Sequence, residues 1–103
     1  MIDLKPEHLK TVLRILSEHA PDVDVLAFGS RVRGNARTYS DLDLAVRGRE
    51  PLPRSRVEAL KDAFAESDLP FQVDVVDVNA VSPEFRALIE QGHEVVRQAG
   101  QPG

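Results

Sequence analysis

Asp41 and Asp43 stand one residue apart in the run Asp41-Leu42-Asp43-Leu44-Ala45-Val46. If that run is extended, its period of two puts both carboxylates on one face, close enough to call for a counter-charge. Oxygen donors in this arrangement suit Mg²⁺, a hard cation that takes one or two protein carboxylates and completes its shell with water and phosphate oxygens. An isolated Asp-x-Asp is more often the solvated face of an edge strand, so its neighbours must decide. Asp74 lies between Val73 and Val75 and faces away from both. Should its strand pair beside Asp41–Val46, Asp74 joins the other two on one surface. Three carboxylates there would suit two divalent metals of the kind that clamp attacking and leaving oxygens in phosphoryl or nucleotidyl transfer. Asp77 lies an odd number of positions from Asp74, faces the other way, and reads as a strand-end residue with a structural role.

Gly29 and Ser30 fall where an apolar run turns into a polar one. A residue without Cβ lets a ligand approach the backbone, and the Ser30 hydroxyl with adjacent N–H groups can hold an anion. By itself such a glycine is more often a turn. Arg33 and Arg31, in that order, and then Arg37 are candidates for triphosphate oxygens, against the ordinary alternative of solvated surface arginines. Tyr39 reads as loop packing rather than base stacking. His8, His19 and His93 lack His-x-x-x-His spacing and read as surface or structural residues. The glycines are not a P-loop, which needs a closing Gly-Lys-Ser/Thr.

The elements that must position these groups are legible in turn. Leu9, Val12, Leu13 and Leu16 form an apolar stripe on a helix that Pro6 starts and Pro21 stops. Val23 to Gly29 reads as a strand buried on both faces, and Asp41 to Val46 as a second strand with one apolar and one carboxylate face. Gly48 to Pro53 reads as a loop into a helix carrying Val57, Leu60 and Phe64, with Ser55 and Glu58 at capping-box spacing. Phe71 to Val76 makes a third strand. Ser82 and Pro83 start a short helix with Phe85, Leu88 and Ile89 inward, and Gly92 ends it as a C′ residue. His93 to Arg97 adds an edge strand, and 98–103 reads as a frayed, flexible tail after a domain over 1–97. The order predicts an α+β or α/β domain with one mixed β-sheet and helices packed on it.

With 103 residues the chain supports one domain, and its site should be shallow or completed by a partner. Thirteen basic against seventeen acidic residues give a net charge of −4, and no basic block exists, so nucleic acid is not the expected partner. There is no cysteine, which excludes disulfides, thiolate zinc sites and cysteine nucleophiles. No apolar run approaches a membrane span and no targeting segment is visible, so a cytoplasmic protein is expected.

Gly29-Ser30, ten intervening residues and Asp41-x-Asp43 together resemble the signature of the DNA polymerase beta-like nucleotidyltransferase superfamily, with Val73-Asp74-Val75-Val76 similar to the strand that carries its third carboxylate. Arg31, Arg33 and Gly34 resemble its small stand-alone members, the minimal nucleotidyltransferases (MNT). The resemblance runs from Val25 to about Val96. It implies the polymerase beta-like fold, Mg²⁺ with ATP as substrate, and transfer of a nucleoside monophosphate to a hydroxyl with release of pyrophosphate. By the same resemblance Gly29, Ser30, Arg31 and Arg33 bind the nucleotide, Asp41 and Asp43 bind metal, and Asp74 completes the cluster and assists deprotonation of the acceptor. Stand-alone MNT proteins are commonly antitoxins that adenylylate a tyrosine of a HEPN-domain RNase toxin, which implies a toxin partner and a hetero-oligomer with it. Two alternatives stay open: a non-catalytic antitoxin that works by occlusion, and a nucleotidyltransferase acting on RNA or a small molecule.

Overall fold

The computed structural model describes residues 4–29 and 41–100, which form α1 (Pro6–His19), β1 (Asp24–Phe28), β2 (Leu42–Arg47), α2 (Arg54–Ala65), β3 (Val73–Asp77), α3 (Pro83–Gln91) and β4 (His93–Arg97). The strands make one sheet in the order β3-β2-β1-β4. β1 runs antiparallel to both β2 and β4, while β2 and β3 run parallel, so the sheet is mixed as expected. The parallel pair needs a crossover, and α2 supplies it.

Strand parity divides the apolar residues between two faces. Leu42, Leu44 and Val46 of β2, with Val25 and Ala27 of β1 and Val75 of β3, pack under Val12, Ile15 and Leu16 of α1 and Leu60 and Phe64 of α2. On the opposite face Leu26, Ala45, Val78 and Ile89 form a smaller cluster beneath α3. β1 is therefore buried on both sides, which its unbroken apolar run requires. Fully burying Ile89 stabilises α3 against the sheet by about 1.5–3 kcal/mol.

Local signals explain the boundaries, with four departures. Ser82 caps α3 by accepting the Phe85 N–H at 3.2 Å, followed by Pro83 at the first helical position. α2, however, begins at Arg54 behind Pro53, so Ser55 lies inside the first turn and no side chain caps the helix. Phe85 and Leu88 do not enter the core: Ile89 is the one buried residue of the nine-residue α3, while Phe85 stays 39% and Leu88 67% exposed. Gly92 is the C-cap itself, with extended φ of −147°, not a left-handed residue beyond it. Finally, Ala99 donates to Asp24 Oδ1 and Gly100 to the Pro21 carbonyl, both at 2.8 Å, so the expected tail is held as far as Gly100. Among the described residues, no helix is long and apolar enough to cross a membrane.

Candidate active site

The carboxylates stand on the α3 face because they share its parity. Asp43 is two residues from Ala45, and Asp74 two from Val76, both of which pack toward the cluster under α3. In the parallel ladder Asp43 and Asp74 are direct partners, about 5 Å apart at their Cα atoms by the ordinary strand spacing. The row continues across the sheet, since Asp43 pairs with Phe28 and Phe28 with His93. Asp74 is exposed and Asp43 half-buried, so a ligand reaches both from outside. Asp41 lies exposed just before β2. Among the described residues, no three His, Cys, Asp or Glu side chains gather closely enough to hold a metal ion. The sheet thus brings Asp43 beside Asp74 and leaves Asp41 at the strand entrance.

Gly29 follows β1 with φ of +83°, in the left-handed region that glycine tolerates without penalty. A Cβ there would collide with Asp43 Oδ2 and lie 3.3 Å from its Cγ. The aspartate carboxylate therefore sits directly over bare backbone, and the glycine is required twice, by its torsion and by this approach. Ser30, Arg31 and Arg33, like Arg37 and Tyr39, lie outside the described residues.

A cleft of about 430 Å³ opens from this point, lined by Phe28, Gly29, Asp43, Phe85, Leu88 and Ile89, among others. Phe28 and Phe85 meet edge to face, with ring centroids 5.9 Å apart, and give it an aromatic wall. Sequence periodicity assigns Phe85 and Leu88 to the core and so misses this wall; only the shortness of the Ser82–Gly92 segment hints that its helix cannot bury both. His93 Nδ1 lies 2.9 Å from the Ile89 carbonyl, which makes Nδ1 the protonated nitrogen and fixes the ring against the end of α3. Its role is structural, as expected. Asp77 is likewise structural: it is buried, and its carboxylate accepts the Leu52 N–H at 2.7 Å and the Asn79 N–H at 2.9 Å.

The carboxylate oxygens offer the hard donors that Mg²⁺ takes, and the cleft that begins at Gly29 and Asp43 is open beside them. The mixed sheet thus carries paired acidic residues on adjacent strands and a glycine turn against one of them. The chain belongs to the nucleotidyltransferase domain family, whose model matches residues 9–99. It is 46% identical over 97 residues to a Haemophilus influenzae protein named "Probable protein adenylyltransferase MntA", spanning 94% of this chain and 85% of that one. A minimal nucleotidyltransferase structure matches with a TM-score of 0.64 and 31% identity over 85% of this chain and 88% of that one. At 22% identity the fold also matches, with a TM-score of 0.70 over 92% of this chain and 73% of the other, a complex of tri-AMPylated Shewanella oneidensis HEPN toxin with MNT antitoxin.

Proposed function

We propose that this chain is a cytoplasmic, Mg²⁺-dependent protein adenylyltransferase that transfers AMP from ATP to a tyrosine hydroxyl of a HEPN-domain RNase toxin, and so acts as its antitoxin. The observation that carries the reading is the Gly29–Asp43–Asp74 arrangement: a carboxylate lying on bare backbone at a strand end, with a second carboxylate in register on the next strand. The 46% identity to the MntA relative and the fold shared with antitoxins in complex with HEPN toxins support the acceptor class.

In this reading Gly29, with Ser30, Arg31 and Arg33, receives the triphosphate, whose charge arginine forks can meet in bidentate fashion. Asp43 and Asp74, with Asp41 contributing from the entrance to β2, would supply carboxylate oxygens to Mg²⁺, two ions in this reading, which would neutralise charge on the transferring phosphoryl group. Asp74, the outermost and more exposed carboxylate of the row, accepts the proton of the attacking hydroxyl. The aromatic wall of Phe28 and Phe85 shields the inner end of the site from water. The cleft is open on one side, and a docked partner closes it.

The test is transfer of label from α-labelled ATP to the HEPN partner in the presence of Mg²⁺. Label should appear on tyrosine with the wild-type chain and be absent with Asp43→Ala or Asp74→Asn. Label incorporated equally by both variants would sink the assignment of these carboxylates.

A further inference from the structure

We infer that α3 is a movable wall of the aromatic cleft: it detaches from the sheet as a unit while the strands beneath stay paired, and it closes again on a ligand seated between Phe85 and the strand ends. The opening stands on the packing alone, and only its response to nucleotide rests on the proposed adenylyl transfer.

Little holds α3 down. Ile89, against Leu26, Ala45 and Val78, is its one buried residue, and its other residues are all exposed. By contrast α1 buries Val12, Ile15 and Leu16, and α2 buries Leu60 and Phe64. Further ties run along the rim of α3. The Phe85 ring meets Phe28 edge to face, the Arg86 guanidinium donates to Asn79 Oδ1 at a long 3.4 Å, and the Ile89 carbonyl accepts from His93 Nδ1 at 2.9 Å. Arg47 approaches Glu90 to 3.8 Å, with the two side chains 31% and 41% exposed. Salt screens so open an ion pair, and it adds little. A segment with this few buried apolar contacts opens at lower free energy than the core.

Both ends of the segment are fixed, which confines the motion to residues 79–92. Val78 is buried and its N–H donates to the Val46 carbonyl at 3.1 Å, while β4 is held in its ladder with β1. One wall of the cleft belongs to α3, with Phe85, Leu88 and Gln91, and the other to the strand ends, with Phe28, Gly29 and Asp43. A ligand that fills the cleft touches both walls, binds the closed state better and shifts the population toward it. Opening parts Phe85 from Phe28 and bares the end of the cleft where Asp43 stands, so the wall gates nucleotide entry and product release.

Native-state amide exchange in graded urea tests this residue by residue. The helical amides from Arg86 to Gln91 should share one opening equilibrium, at least about tenfold less protected than β1 and β2, with only a shallow dependence on urea, the mark of a small unit opening alone. Ile89→Val should raise these rates about two- to tenfold at the same shallow slope. Glu90→Gln, which leaves the apolar contact in place, should raise them by about twofold. ATP with Mg²⁺ at saturation should slow them by about tenfold or more. Amides of α3 that share the protection and the urea slope of β1 and β2, in the wild type and in both variants, overturn the movable wall whether or not the chain transfers AMP. Protection that falls away gradually from Ile89 toward each end, with no common opening, overturns it as well, since that is fraying. ATP that binds by calorimetry and leaves the α3 rates unchanged overturns the closure on nucleotide. ATP that fails to bind removes the proposed function, while the urea dependence still decides the opening.

Discussion

Gly29→Ala replaces one hydrogen by a methyl group, and the structure fixes what that carbon meets. At φ of +83° an alanine pays the left-handed penalty of about 1–2 kcal/mol. For a domain of this size that corresponds to a drop in melting temperature of about 4–16 °C. The same Cβ falls on Asp43 Oδ2, so the carboxylate must rotate away. That rotation removes one oxygen donor from its position beside Asp74. Transfer should therefore fall by about a hundredfold or more, well beyond the stability loss, as expected when a ligating group is misplaced by an ångström. Gly92→Ala is the control, since φ there is −147° and nothing lies within 4 Å of the added carbon. Melting curves in chelator and transfer rates at a temperature where both variants are folded read the two effects separately. A Gly29→Ala variant that melts with wild type and transfers at wild-type rate refutes the account of this glycine.

Three further outcomes follow from the side-chain contacts. Asp77→Ala leaves the N–H groups of Leu52 and Asn79 without their acceptor, so urea titration should show a loss of about 2–4 kcal/mol, while ATP binding by the folded fraction persists. Asp74→Asn should do the reverse, abolishing transfer with no fall in melting temperature, because this exposed carboxylate faces Asp43 across the ladder. The Ala99 backbone N–H, first, and Arg47 hold the Asp24 carboxyl below its ordinary 3.8, and the Arg56 guanidinium does the same for Asp22. Lowered folded-state values mean that this stability is present above about pH 4 and is lost as pH falls below it, so the stability of Asp24→Asn, read by urea titration, should lie below that of wild type at neutral pH and fall less than wild type's as the pH is lowered through this range.

The sheet and its site were legible where a single local period decides the outcome. The alternation at Leu42–Val46 and at Val73–Val76 predicts which residues share a face, and the ladder puts Asp43 opposite Asp74 on that face. Asp77 was assigned to the other face by the same parity, and its two hydrogen bonds bear out the structural role. What failed depends on three-dimensional placement. The stripe Phe85, Leu88, Ile89 has core periodicity, yet how much of it is buried depends on how far α3 extends over the sheet, and Ile89 alone of the three joins the cluster with Leu26, Ala45 and Val78. Ser55 and Glu58 have capping spacing, but Pro53 sets the start of α2 too close to Ser55 for it to act.

The central claim, that this chain neutralises its partner by chemistry at the Asp43–Asp74 pair, is tested most directly by the intact mass of the HEPN partner after incubation with the chain, ATP and Mg²⁺. The account predicts a gain of one or more AMP masses mapped to tyrosine, with RNase activity falling in step, and neither change with Asp43→Ala or Asp74→Asn. A partner silenced at unchanged mass, and silenced equally well by the two aspartate variants, would show neutralisation by occlusion and contradict the account.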